Sequence, residues 1–205
     1  MIASIAAIAA SAPESRPPAP AQDCAPVAGP LIQTLRDLRS LLGELSGPQY
    51  SQRAGELFAD SSIGGHVRHV LDHARALAEG WRVGTVDYDH RARGTSIETD
   101  IVAADAELAR LIGAVEHLSR LDADDAIGVR ILPSRDAQPV TLSSTLAREL
   151  AFVLSHTIHH NATIRGMVLA IGERVPESFG YAASTLAHRG RCAARCEAAG
   201  SACAR

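Results

Sequence analysis

Apolar positions recur along this chain with the period of a helix, and polar breaks divide them into four long segments. In the first, Leu31, Ile32, Leu35, Leu38, Leu41, Leu42 and Leu45 keep three- and four-residue spacing. Pro30 suits the first turn there, and Gly47 with Pro48 stops the run. Ser62 predicts the cap of a second helix that reaches about Trp81, with a stripe of Ile63, Val67, Val70, Leu71, Ala74, Leu77 and Ala78. The polar connection over residues 82–94 is too long for a tight turn and reads as a crossover. Thr95 and Glu98 form a capping-box pair ahead of a third helix, which continues through Ile101, Leu108, Leu111, Ile112, Val115 and Leu118 to about Leu121. Residues 126–132 and 138–142 flank Pro133 and Ser134 as a small hairpin. A fourth helix starts near Ser143 or Ser144 and runs to Ile171, where Gly172 ends it. The pattern as a whole predicts an all-α fold: a four-helix bundle with a long crossover between helices two and three and a small hairpin before helix four.

The two ends have a different character. Residues 1–29 read as a disordered leader, because their Pro, Ala and Ser content buries too little apolar surface to offset the entropy of ordering. Residues 30–172 carry the bundle, and 173–205 a loop and an apolar-poor tail. The apolar stretch from Met1 to Ala12 lacks the basic start and the length of a signal peptide and is too short to span a bilayer. The expectation is a soluble, cytoplasmic protein with no membrane partner. Cys24, Cys192, Cys196 and Cys203 all fall in these ends, and the C-x3-C-x6-C spacing of the last three matches no zinc-knuckle pattern, so they read as incidental thiols. With 46% hydrophobic and only 3% aromatic residues, the core must be aliphatic, which favours packed helices over a sandwich. All 20 basic residues are Arg, and a net charge of -3 provides no broad footprint for nucleic acid.

Histidines carry the candidate chemistry. His156 and His160 stand four apart in the fourth helix, where Cβ atoms are about 5 to 6 Å apart and both rings can reach one divalent ion. On a helical wheel His160 points with Leu146, Val153, Ile164, Met167 and Ile171, His156 lies about 40° to the other side, and His159 turns about 100° away, outward or toward a boundary. In the second helix, His66, His69 and His73 share an arc about 60° wide beside the apolar stripe, and periodicity alone favours His66. Such rings must find partners inside a protein, whether a metal, neighbouring helices or buried water. Two helices could thus close one metal site.

The stretch Ser62-Ile-Gly-Gly-His66-Val-Arg-His69-Val-Leu-Asp-His73, with the later His156-x3-His160, resembles the DinB/YfiT-like superfamily of metal-binding four-helix bundles over residues 31–172. The resemblance implies one histidine from the second helix, eight positions into a pattern that opens with Ser or Thr, and an H-x3-H pair from the last. Carried onto this chain, that is a three-histidine metal site of His69, His156 and His160. Two departures stand out: His66 and His73 are extra, and Ala162 breaks the H-x3-H-x-E arrangement of the iron-dependent sulfoxide synthases, which disfavours an ergothioneine-type role. Three neutral imidazoles leave a coordination position open to water or thiolate, and nitrogen ligands suit a divalent ion such as Zn, Ni or Fe. Glu149 and Asp72 are candidates to orient a ring N–H. In the crossover, Arg91 and Arg93 could meet an anionic substrate, and Tyr88 could donate a proton. The resemblance implies a metal-dependent thiol transferase or isomerase acting on a small, thiol-linked substrate with a low-molecular-weight thiol. The alternative is a non-catalytic metal-binding or stress-associated helical bundle, a homodimer through an exposed helix face.

Overall fold

The computed structural model describes residues 22–90 and 95–198. Among the described residues, six helices and three strands follow one another: α1 (Ala25–Leu42), α2 (Gly47–Ser51), α3 (Ile63–Val83), β1 (Thr85–Asp87), α4 (Ile101–Leu118), β2 (Ala126–Ile131), β3 (Val140–Thr145), α5 (Leu146–Ala170) and α6 (Ala183–Ala198). The fold is mostly helical, in line with the all-α expectation, and one further strand joins the expected hairpin in a small three-stranded sheet.

Helix α1 begins inside the segment expected to be leader. Its start is tied down from a distance: the Cys24 backbone N–H donates to the Leu121 carbonyl at 3.1 Å, Asp23 bridges to Asp122, and Ala28 is fully buried. Pro26 therefore occupies the first turn and Pro30 lies within the helix. Residues 1–21, the rest of that expected leader, lie outside the described residues. After α1, Ser46 and Gln49 make a reciprocal capping box that starts the short α2, which fixes buried Tyr50 with its hydroxyl donating to the Ile97 carbonyl at 2.6 Å.

Helix α3 starts as read, with the Ser62 hydroxyl accepting from the Gly65 N–H. Gly84, at φ 77°, then turns the chain back on itself. Strand β1 is pressed so closely onto α3 that a Cβ at Gly80 would stand 2.6 Å from the Thr85 carbonyl oxygen and 2.7 Å from Val86 Cα. Part of the expected crossover, Thr85–Asp87, is thus a strand. It pairs in parallel with β2, Val86 opposite Val129, and β2 pairs antiparallel with β3, Val129 opposite Leu142. The hairpin was legible in the sequence; the third strand was not.

The capping box expected at Thr95 and Glu98 does not form. Residues Ser96–Glu98 make one 3-10 turn, Thr95 contributes no side-chain cap, and Glu98 instead pairs with Arg68 of α3 at 2.6 Å. Asp100 caps α4 by accepting from the Val102 and Ala103 N–H groups. Thr145, one or two residues past the expected start, caps α5, and Gly172 at φ 83° follows its end. Beyond it, the expected loop and tail contain α6.

Helix α1 packs against α4 and α5, and α3 packs against the same two. The core between them is aliphatic, with Leu31, Leu35, Leu38, Leu71, Leu77, Leu108, Leu111 and Leu146 among its fully buried side chains. Strand β1 lies on α3 and β3 continues into α5, so the sheet sits beside the two helices that carry the histidine clusters. Among the described residues, no helix is long and apolar enough to cross a membrane.

Candidate metal centre

The packing of α3 on α5 brings five imidazoles face to face. His66, His69 and His73 follow one another at three- and four-residue spacing on α3, and His156 and His160 do the same on α5. Between the helices, the ring centres of His73 and His156 are 3.8 Å apart, those of His69 and His156 4.9 Å, of His69 and His160 4.5 Å, and of His66 and His160 5.2 Å. His159 is exposed, as its wheel position predicts.

Within this face, the potential ligand nitrogens of His69, His73 and His156 all lie within 4.8 Å of one another. His73, the buried member, has its Nδ1 at 3.0 Å from the His69 carbonyl oxygen. A carbonyl can only accept, so Nδ1 carries the hydrogen and Nε2 keeps the lone pair a metal needs. A ring so oriented by a backbone carbonyl is the ordinary arrangement of a ligating histidine. The donor set, all nitrogen and partly withdrawn from water, fits a divalent ion of intermediate softness.

His160 also stands in the cluster, its ring centre 4.6 Å from that of His156. Its Nδ1 is 3.0 Å from Nδ1 of His66. Burial, and after it the nearby rings of His156, His66, His159 and His73, push His160 down to about 3. Burial likewise lowers His66, with His159 adding to the effect. Both rings are therefore neutral at pH 7, which a ligand or its support requires.

The carboxylates divide. Glu149, buried at the start of α5, accepts from the Tyr88 hydroxyl at 2.9 Å and from the Ser144 hydroxyl at 2.5 Å. Tyr88 and Glu149 are thus partners of each other. Burial and the Glu149 carboxylate raise Tyr88 well above the ordinary phenol range, so it stays protonated and acts as a donor. Asp72 pairs with Arg68 at 2.7 Å and with Arg75 at 3.2 Å, in a charged row that continues to Glu107 of α4, and these guanidinium contacts occupy both of its oxygens. Arg91 and Arg93, expected to meet an anionic substrate, lie outside the described residues.

A cavity of about 400 Å³ opens beside the cluster, lined by Tyr88, Val129, Ile131, Leu142, Arg148, Glu149 and Phe152 together with the chain from Ser143 to Thr145. Two aromatic rings are common to the cavity and the histidines. Tyr88 stacks on His73 with centres 5.3 Å apart, and Phe152 lies 5.8 Å from His156. Helical periodicity located the histidines but could not locate this pocket, whose walls come from β2, β3, the segment after β1 and α5. Neither Cys24 nor Cys192 lines it. Cys24, expected to be an incidental tail thiol, is buried at the start of α1 and pushed up to about 11 by that burial and by Asp125, Asp23 and Asp122, which makes it a poor thiolate.

Comparison with known sequences bears on the same segment. The family profile described as the DinB superfamily matches residues 31–164, a span that contains all five clustered histidines. A protein of Rhizopus delemar named FK506-binding protein 5 is 31% identical over 119 residues, which make up 58% of this chain and 31% of that protein. The chain therefore spans less than a third of that relative's length. No solved structure matches the chain.

Proposed function

The chain belongs to the DinB superfamily, and from that premise we propose that it binds a divalent metal ion between α3 and α5 and acts as a metal-dependent enzyme on a small substrate. In this reading α1, α3, α4 and α5 are the four helices of the superfamily's bundle. His69 and His156 are the constant pair of the site, because they belong both to the close donor group of the structure and to the ligand set the family pattern implies. His160 is the third ligand by that pattern, and His73 stands where it can add a fourth nitrogen. The observation that carries the proposal is the convergence of the His69, His73 and His156 nitrogens, from two helices, to within 4.8 Å.

A divalent ion bound by imidazoles would lower the pKa of a water or thiol on it. The chain's own residues supply the rest. The cavity of about 400 Å³ is in the size range of small-molecule sites. Val129, Ile131 and Phe152 give it an apolar wall, and Tyr88, whose hydrogen goes to Glu149, presents its hydroxyl oxygen as an acceptor at the boundary between substrate and metal. A small, thiol-linked substrate with a low-molecular-weight thiol fits this division into apolar wall, hydroxyl acceptor and thiol-binding ion. Cytoplasmic location and a homodimer remain parts of the same proposal.

The test is metal analysis of protein purified without an affinity tag. Wild type should carry a divalent metal, with Zn, Ni and Fe as the elements to assay, and His69→Ala and His156→Ala should each lose it. Equal metal content in wild type and both variants would end the proposal. For metal-loaded protein, turnover of a panel of thiols and electrophiles separates an enzyme from a non-catalytic metal-binding protein.

A further inference from the structure

His66 has no place in the ligand set above, yet its two ring nitrogens are both engaged. Nε2 lies 2.9 Å from the Ser61 hydroxyl oxygen, and Nδ1 lies 3.0 Å from Nδ1 of His160. The Ser61 hydroxyl is itself 2.6 Å from the Phe58 carbonyl oxygen. These contacts allow one assignment of hydrogens between neutral rings. The Phe58 carbonyl can only accept, so the single hydrogen of the Ser61 hydroxyl goes to it. Ser61 then has only lone pairs to offer, and His66 must donate to it from Nε2. A neutral imidazole has one N–H, so Nδ1 of His66 is an acceptor, and the hydrogen between the two rings belongs to Nδ1 of His160. His160 is left with its lone pair on Nε2, beside His69 and His156, whose ring centres are 4.5 and 4.6 Å from its own.

We propose that His66 is a positioning residue: through the chain from the Phe58 carbonyl to Ser61, His66 and His160, it holds His160 in the Nδ1–H tautomer and so keeps Nε2 ready to bind a metal ion. The role extends the metal-binding reading given above and rests on it for its purpose. The backbone carbonyl at the head of the chain sets the direction of every hydrogen after it. Periodicity alone favours His66 in the second helix, while the family pattern has no place for it. In the fold it does for His160 what the His69 carbonyl does for His73.

The tautomer can be read without any metal, from nitrogen shifts and two-bond couplings of histidine-labelled, metal-free protein. Wild-type His160 should carry its hydrogen on Nδ1. In His66→Leu, which leaves no acceptor, His160 should shift toward the Nε2–H form, and Zn²⁺ affinity should fall by about 10- to 100-fold. His66→Asn puts an amide oxygen near the position of Nδ1 and should restore the tautomer and most of the affinity, which a purely space-filling role would not do. An Nε2–H His160 in the wild type would overturn the proposal; a doubly protonated His66, donating to His160, would produce that form. A His66→Leu protein with unchanged tautomer and unchanged affinity would overturn it too. Should wild type bind no Zn²⁺, the metal reading falls, while the wild-type tautomer still decides whether the hydrogen-bonded chain exists.

Discussion

The side chains at the α3–α5 contact combine neutrality with hydrogen-bond direction, and both properties are measurable. His160 is pushed down to about 3, below the ordinary value near 6.5, by burial first and then by the neighbouring rings. For a group whose folded value is depressed, the folded state binds fewer protons than the unfolded chain between the two values. Stability is therefore complete above about 6.5 and is lost as pH falls toward 3, with His66 shifted in the same direction. Thermal melts of metal-free protein should show a melting temperature that drops from pH 7 to pH 4, and His160→Asn should drop less. Equal slopes in the two proteins would count against this assignment. Where the pocket meets the histidines, Tyr88→Phe removes one of the two hydroxyls that donate to buried Glu149. The expected loss is about 1–3 kcal/mol by urea denaturation, the usual cost of leaving a buried acceptor short of a donor.

Elements are held by local signals in some places and by contacts from afar in others, and their caps distinguish the two. Ser62 before α3 and Gly172 after α5 do what their sequence positions imply. Thr95 does not, because Arg68 of the neighbouring helix draws Glu98 away from a reciprocal cap and Asp100 takes over. Asp100→Ala should thus destabilise the protein by about 1 kcal/mol, while Thr95→Ala should have a much smaller effect; denaturation of both variants checks the assignment. Strand β1 depends on a missing side chain. With the Thr85 oxygen 2.6 Å from where a Cβ would stand, Gly80→Ala must push β1 off α3, at about 1–3 kcal/mol. Since Tyr88 follows β1, that variant should also disturb the pocket, visible as changed shifts of the His73 ring on which Tyr88 stacks.

At the scale of the whole molecule, the two long helices α3 and α5 face each other across the histidine cluster. A ligand that binds the folded chain alone stabilises it in proportion to the logarithm of its concentration, by about 2.7 kcal/mol at a hundredfold excess over Kd. Loading with Zn²⁺ should accordingly raise the melting temperature, chelation should reverse the rise, and His69→Ala or His156→Ala should abolish it. An unchanged melting temperature in wild type would contradict metal binding between the helices. The sheet extends the same design, because β1 delivers Tyr88 against His73 while β3 leads directly into the turn of α5 that holds Glu149.

Periodicity, caps and histidine spacing were enough to place α3, α5 and the hairpin to within a few residues, to find α4 although its cap is Asp100 and not Thr95, and to put five histidines on two helices, because each of those features depends on neighbours a few positions away. The packing of the chain decided what depends on distant residues. It drew α1 back to Ala25 through contacts with residues 121 and 122, and it aligned β1 with β2 some forty positions later. It joined Tyr88 to Glu149 and gathered His73 with His69 and His156. A helical wheel gives the direction of a side chain from its own axis; which nitrogen meets which partner depends on how two axes lie against each other, and only the folded core sets that.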